Sequence, residues 1–260
     1  MRDGTDELVA ADGGDDFTDL VTLADVTTAF HCHTTYSDGK ATIAEMVRAA
    51  AELGFDAITI TDHSAAAGYA GGLDGDRLRA QLAEIAGLTA PEARVLRGTE
   101  ADILADGTLD VPPELVGELD VIIASVHQRY QLDVDAMTAR LVAAMRKPCF
   151  KIWGHALGRL VLRREPIDVR LDDVLDAIAE SPAAIEINGD PHRLDLAPAH
   201  ARAAARRGIK FVLSCDAHST RALEATRFAV GMARRARIRR HDVLNTLPPD
   251  ELIAAIRPQR

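Results

Sequence analysis

The chain has 260 residues, 47% of them hydrophobic, and a formal charge of −10, which reads as a globular protein of one barrel-sized domain or two small ones. The acidic balance argues against a sequence-independent grip on nucleic acid, because that affinity comes from many Lys and Arg contacts to phosphates. There is no apolar run of about 18 residues to cross a membrane and no basic, then apolar, leader. The three cysteines, Cys32, Cys149 and Cys215, are too scattered for a disulfide framework and form no C-x-x-C. The protein is therefore expected to be cytoplasmic, with reduced and mostly buried thiols.

Residues 1–19, rich in Asp and Gly, are expected to form an acidic mobile tail, and residues 20–260 a single domain. The first strand pattern is Thr28–His33. It runs into FHCHTTYSDG, Phe30 to Gly39, where alternation puts His31 and His33 on one face and Cys32 on the other. A helix follows over Thr42–Leu53, opened by the capping box Thr42-x-x-Glu45 and closed before Gly54. Further strand patterns fall at Ala57–Thr61, Val95–Glu100, Val121–Val126, Phe150–Gly154, Ala184–Ile187 and Lys210–Ser214. Between them lie helical patterns at Asp76–Leu88, Val134–Met145, Leu171–Glu180 and Pro198–Arg207. After Ser219 the pattern is wholly helical, with the arginine-rich RRARIRR (Arg234 to Arg240) read as a solvated helix face. The last helix, led by Pro248 and Pro249, is expected to cover one side of the sheet.

Strands alternating with helices imply a parallel sheet coated by helices, and seven such units favour a closed barrel over an open doubly wound sheet. No Gly-rich phosphate fingerprint follows the first strand, so a nucleotide-cofactor fold and an organic cofactor are not expected.

Nearly every strand pattern ends in a metal-capable side chain. The first ends in His31 and His33 with Asp38 beyond; later ones end in Asp62 and His63, Glu100, His127, His155, Asn188, and Asp216 with His218. In a parallel barrel those ends share one rim, where barrel enzymes hold their chemistry. Six histidines and three carboxylates exceed the four or so ligands of one tetrahedral site, which points to two or three ions sharing bridging carboxylates. Nitrogen and oxygen donors suit zinc, manganese or iron. Asp62 is expected to orient a histidine from behind rather than to ligate. His192, His200 and His241 lie away from strand ends and are assigned surface or capping roles.

HCHTTYSDGK, ITDHS, RGTEADIL, IASVHQRY, WGHALGRLVLRREP, IEINGDPHRLDL, SCDAHST and VLNTLP together resemble the PHP (polymerase and histidinol phosphatase) domain, in the version found at the C-terminus of bacterial family X DNA polymerases. The resemblance runs from about Leu20 to the end of the chain. It implies an α/β fold, a distorted (β/α)7 barrel with three divalent metal ions at the C-terminal ends of the strands. The ligand positions implied are His31, His33, Asp38, His63, Glu100, His127, His155, Asp216 and His218, and all nine hold a competent side chain.

Two positions depart from the family pattern. Ala29-Phe30 replaces a common Asp-Leu, and the loop Ala65, Ala66, Ala67, Gly68, Tyr69 replaces a basic one. The polymerase half is absent. Only LVTLADV, Leu20 to Val26, is similar to the joining segment; the residues do not decide between a stand-alone protein and a fragment, and the initiating Met with its acidic tail leans toward the former.

The main expectation is a metal-dependent phosphoesterase acting on a phosphate ester, first on single-stranded DNA or nucleotide 3′ ends, as the polymerase-linked relatives do. His31, His33, Glu100, His127 and Asp216 would hold two ions; Asp38, His63, His155 and His218 would hold the third. Arg159 and Arg163 are candidate phosphate contacts, since they follow the His155 strand end. Glu100, Asp216 and His218 are the expected catalytic members. The alternative is a small-molecule phosphatase of the histidinol-phosphate or nucleoside-bisphosphate type, which the acidic charge and neutral loop favour. A third reading is a non-catalytic domain that metal merely stabilises.

Overall fold

In the computed structural model, which describes residues 7–14 and 17–258, seven parallel strands close on themselves. They are β1 (Thr28–Cys32), β2 (Ala57–Ile60), β3 (Arg94–Asp102), β4 (Val121–Ser125), β5 (Lys151–Trp153), β6 (Ala183–Asn188) and β7 (Lys210–Ala217), each paired with its neighbours in chain order and β7 with β1. The (β/α)7 expectation is met, and the seven strand patterns all sit where alternation and β-branching placed them. β3 is longer than its apolar run, because Ala101 and Asp102 still pair with Ala124 and Ser125 of β4.

α1 (Glu7–Asp12) is a short helix inside the segment read as a tail; residues 1–6 and 15–16 of that segment lie outside the described residues. α2 (Ile43–Glu52) begins at its predicted capping box: Thr42 Oγ1 accepts from Glu45 N, and Glu45 accepts from Thr42 N at 2.8 Å. Then come α3 (Gly75–Ala86), capped by Asp74, α4 (Val134–Met145), α5 (Leu171–Ala179), α6 (Pro198–Ala205), α7 (Thr226–Arg235) and α8 (Pro249–Ile256). No helix among the described residues is long and apolar enough to cross a membrane.

The outward faces of the strands and the inward faces of the helices share a core that includes Cys32, Ile58, Ala124, Trp153, Phe211, Leu141 and Leu175. Inside the barrel, Phe30, Leu96, Val121, Ile123, Ile152 and Val212 pack on Leu252, Ile253 and Ile256 of α8. The last helix therefore closes the N-terminal end of the barrel instead of covering one side. Its three apolar residues fill the open end, while Arg257 of its C-cap pairs with Asp120 at 2.6 Å and Asp250 pairs with Arg94, both partners standing at the starts of strands.

The arginine-rich stretch also differs from its reading as a helix face. α7 stops at Arg235, and the chain turns through Arg237 at φ +58°. Arg234 donates to the carbonyls of Leu20 and Val21, Arg239 pairs with Asp19, and Arg240 pairs with Asp25 at 3.4 Å. These arginines fasten the lead segment to the barrel.

Candidate metal centre

With α8 filling one end, the C-terminal rim is the open end of the barrel. β1 delivers two rings there through a backbone irregularity: pairing shifts register between Ala29 and Cys32, and His31 takes φ +61°. His155 (φ +25°) and Asp216 (φ +52°) are likewise in a region that costs non-glycine residues of order 1–3 kcal/mol. His31 and His33 still enter the same space, their ring centroids 5.2 Å apart, and Cys32 points into the outer core, so alternation holds across the bulge. Gly154, before His155, is required by crowding: a Cβ there would lie 2.4 Å from Ser125 Oγ and 3.5 Å from the His31 ring.

The structure brings all nine expected ligands together. Among the described residues they form overlapping groups whose donor atoms lie within 4.8 Å of one another: His33, Asp38, His63 and His218; His31, Glu100 and His155; His31, His33 and Asp216; and His63, Glu100 and His127. The groups differ from the expected division between ions: His33 and His63 each belong to two groups that the division kept apart, and His155 changes side. His155 does not lie with Asp38, His63 and His218; its Nε2 is 2.8 Å from Glu100 Oε1, in the group of His31, because Gly154 and β5 carry it to the deep side. Glu100 is the hub. Its Oε1 also lies 3.2 Å from His31 Nε2 and from His127 Nε2, and its Oε2 lies 2.8 Å from His63 Nδ1. Asp38 and His218 are the accessible members, with side chains 35% and 32% exposed, so they mark the mouth.

The donor set fits divalent metal. His31 Nε2, both nitrogens of His33, His63 Nδ1, His127 Nε2, Glu100 Oε2 and Asp216 Oδ1 are buried without a hydrogen-bond partner. A protein interior does not leave so many polar atoms aimed at one space unless something coordinates them. Burial pushes the Glu100 carboxyl up, but His127, His31 and His63 outweigh it and hold the group well below the ordinary carboxylate range. Burial alone would likewise raise Asp216; Arg193, His31 and His33 reverse that. Both carboxylates stay ionised. Burial holds the His33 and His155 rings down to about 4, keeping their lone pairs free to ligate.

Residues behind the ligands fix them. Glu186, which the sequence reading passed over, accepts from Ser214 Oγ, Asn188 Nδ2 and the amide of His155, and lies 2.6 Å from His31 Nδ1. Asp102 lies 3.3 Å from His127 Nδ1 and accepts from its amide at 3.2 Å. A buried acidic residue two places after Glu100, on the same strand face, was the available signal for Asp102; for Glu186 it was a lone glutamate inside the apolar run AIEI. Asp62 corrects its expected role. It accepts from the amides of Thr34 and Ser37, from their hydroxyls and from Gln81 Nε2, so it holds the loop that carries Asp38 instead of a ring.

The expected arginines are placed differently. Arg159 donates to the carbonyls of Arg193 and Leu194, and Arg163 is exposed on the turn between Leu160 and Arg164. Arg193, inside the DPHRLDL segment, reaches the centre instead: its Nε lies 2.8 Å from Asp216 Oδ2, and its buried Nη1 has no hydrogen-bond partner. Arg159 thus buttresses the loop that aims Arg193. Beside Asp216 and His218 opens a cavity of about 700 Å³ lined also by Asp190, His192, Arg221 and Phe228.

Comparison with known proteins identifies the family and agrees with the fold. The PHP domain family model matches residues 29–190, and the chain belongs to that family. It is 34% identical over 232 residues, 88% of its length, to the DNA polymerase/3′-5′ exonuclease PolX of Bacillus subtilis, of which the match spans 41%. It is 30% identical over 205 residues to a protein named a probable phosphatase from Caldanaerobacter subterraneus, covering 72% of this chain and 74% of that one. The crystal structure of hisK from Listeria monocytogenes superposes with a TM-score of 0.56 at 16% identity, over 75% of this chain and 96% of that one, a likeness of fold. The chain spans less than half the length of the PolX relative.

Proposed function

We propose that this protein is a metal-dependent phosphoesterase that acts on nucleic-acid 3′ ends or nucleotides. The observation that carries the reading is the convergence of nine ligand-type side chains with one buried, incompletely bonded arginine. His31, His33, Asp216, Glu100, His127, His155, His63, Asp38 and His218 would hold up to three divalent ions, and such ions, when bound, activate a water and neutralise phosphoryl oxygens.

The chain's own groups account for orientation. Arg193 Nη1 is free to donate to a phosphoryl oxygen while Nε keeps the guanidinium against Asp216. His218 Nδ1 lies 2.8 Å from the Asp216 carbonyl, which fixes its proton there and leaves Nε2, 3.1 Å from Asp38, facing the mouth. The burial of Arg193 and Asp216 strengthens their interaction.

The extent of the likeness to the polymerase-linked exonuclease supports nucleic-acid 3′ ends as the first substrates to test. The second reading, a small-molecule phosphatase, is supported by the neutral loop at Ala65–Ala67 and the −10 charge. Digestion of a 5′-labelled single-stranded oligonucleotide by manganese-loaded protein, with a 3′-phosphorylated copy and a Glu100→Ala control, separates them. A ladder of shortened products that vanishes in the variant is the expected result. Release of phosphate from small monoesters without shortening would establish the second reading, and no release from any ester would overturn both.

A further inference from the structure

Most surface apolar side chains in a soluble fold are scattered, so a concentration of them around one opening is informative. Eight large hydrophobic side chains are exposed among the described residues, and two of them stand at the rim, Tyr69 beside His63 and His127 and Phe228 in the cavity next to Asp216 and His218. Of these, Tyr69 makes ring contacts with two members of the cluster. Its ring centroid is 6.2 Å from that of His63 and 6.3 Å from that of His127, yet the residue is 71% exposed, so much of the ring is open to a bound molecule beside the cluster.

The loop that presents Tyr69 is held at both ends and in the middle. Leu73 N donates to the His63 carbonyl at 2.7 Å, closing the loop at its base. Ala66 N donates to Asp110 at 2.6 Å, Gln128 donates to the Ala66 carbonyl, and Arg77 donates to the carbonyls of Gly71 and Gly72. Ala67 and Ala70, on either side of the tyrosine turn, are buried. Gly72 admits no side chain, since a Cβ there would lie 1.9 Å from the Ser64 carbonyl oxygen. A tyrosine on such a frame loses little conformational freedom when something stacks on it, which is what a recognition platform requires. The loop also brings no cation, so its contribution is aromatic and not ionic.

We infer that Tyr69 is a specificity-determining residue that stacks against a planar heterocycle of the ester, a nucleobase one sugar away from the phosphate held at the metal centre. The inference rests on the phosphoesterase reading and narrows its substrate class to nucleoside phosphates and strand ends with an unpaired terminal base. Stacking tolerates any base, so the site would select for a base without selecting which one.

The test uses the metal-loaded protein with 2-aminopurine deoxyriboside 3′-phosphate and with deoxyribose 3-phosphate, which lacks the base. Two quantities are followed: quenching of 2-aminopurine fluorescence on binding, and the ratio of kcat/KM for the two esters. In the parent protein the base should be quenched and the base-bearing ester preferred. Tyr69→Ala should abolish the quenching, weaken binding of that ester roughly 5- to 100-fold and collapse the preference; Tyr69→Phe should keep all three. A parent protein that binds without quenching, or a Tyr69→Ala protein that keeps the preference, overturns the inference. Equal losses on both esters would assign Tyr69 a structural role and overturn it too. If neither ester releases phosphate, the oligonucleotide digestion decides the phosphoesterase reading separately, while the quenching still decides the stacking.

Discussion

Arg193 Nε stands 2.8 Å from Asp216 Oδ2, the closest approach of a permanent cation to the ligand cluster among the described residues. One nitrogen anchors the guanidinium and another, Nη1, is buried with no hydrogen-bond partner. Arg193→Ala should raise KM for a phosphate ester by about 10- to 100-fold and weaken product inhibition by inorganic phosphate in parallel, the scale of one charge-assisted hydrogen bond. Arg193→Lys should recover part of the loss, because it restores the charge without the planar fork. Steady-state kinetics with phosphate as inhibitor provide the check; an unchanged inhibition constant in the alanine variant would remove Arg193 from phosphate binding.

Glu186 supplies the negative partner of His31 from behind, 2.6 Å from Nδ1, and also receives the amide of His155. Burial pushes the His31 ring toward neutrality, and Glu186, Glu100 and Asp216 together outweigh it. Glu186→Gln preserves shape and removes the charge, so metal affinity should fall by about 10- to 100-fold with the fold intact. A competition titration against a metal-binding dye measures this, with circular dichroism as the control for folding. Equal affinity in the two proteins would show that His31 needs no charged support.

The barrel and the gathering of nine ligand-type side chains at its rim were legible because both depend on local pattern. β-branched runs mark the strands, and ligands sit where those runs stop. What was hidden depends on which atoms meet across the rim. Arg159 follows a strand end and Arg193 lies in a loop five residues beyond another, yet the loop folds back so that Arg193 enters and Arg159 props it. The same holds for His155, whose neighbours were set by the crowding at Gly154 and not by its place in the chain. α8 was recognisable as amphipathic, but its sequence says only that one face is buried, not whether it lies against the sheet or across its end.

Asp195, which is not one of the nine ligand-type side chains, gives the fold a pH signature of its own. It is buried beside the amide of Leu157, which donates to it at 3.0 Å, and burial raises its carboxyl to about 6 despite Arg159 and that amide. A carboxyl whose folded value lies above its unfolded one holds its proton more tightly in the native state. Its contribution to stability is therefore complete below about pH 4 and is lost as pH rises through about 6. Asp195→Asn should remove that dependence, so the stability difference between variant and parent should grow in favour of the variant from pH 4 to pH 7, by on the order of 2–3 kcal/mol at most. Urea unfolding at a series of pH values measures it; parallel curves for the two proteins would show that Asp195 does not titrate in this window.

Glu100 joins more histidines than any other carboxylate in the cluster, with His155, His63, His31 and His127 all within 3.2 Å of its oxygens. Metal that binds the native cluster and not the unfolded chain stabilises by mass action, about 4 kcal/mol at a thousandfold excess over the dissociation constant. For a domain of this size each kcal/mol shifts Tm by roughly 2–4 °C, so chelation should lower Tm by roughly 8–16 °C and readdition of zinc or manganese should restore it. Glu100→Ala should abolish phosphate release, lower bound metal and shrink the chelator-sensitive part of Tm, since its removal takes a shared donor from two of the groups at once. Differential scanning calorimetry with elemental analysis of the dialysed protein separates these effects. Full metal content and full turnover in Glu100→Ala would refute the centre as assigned, whereas a protein that keeps its metal-dependent Tm but turns over no phosphate ester in its parent form would be the stabilised, non-catalytic domain instead.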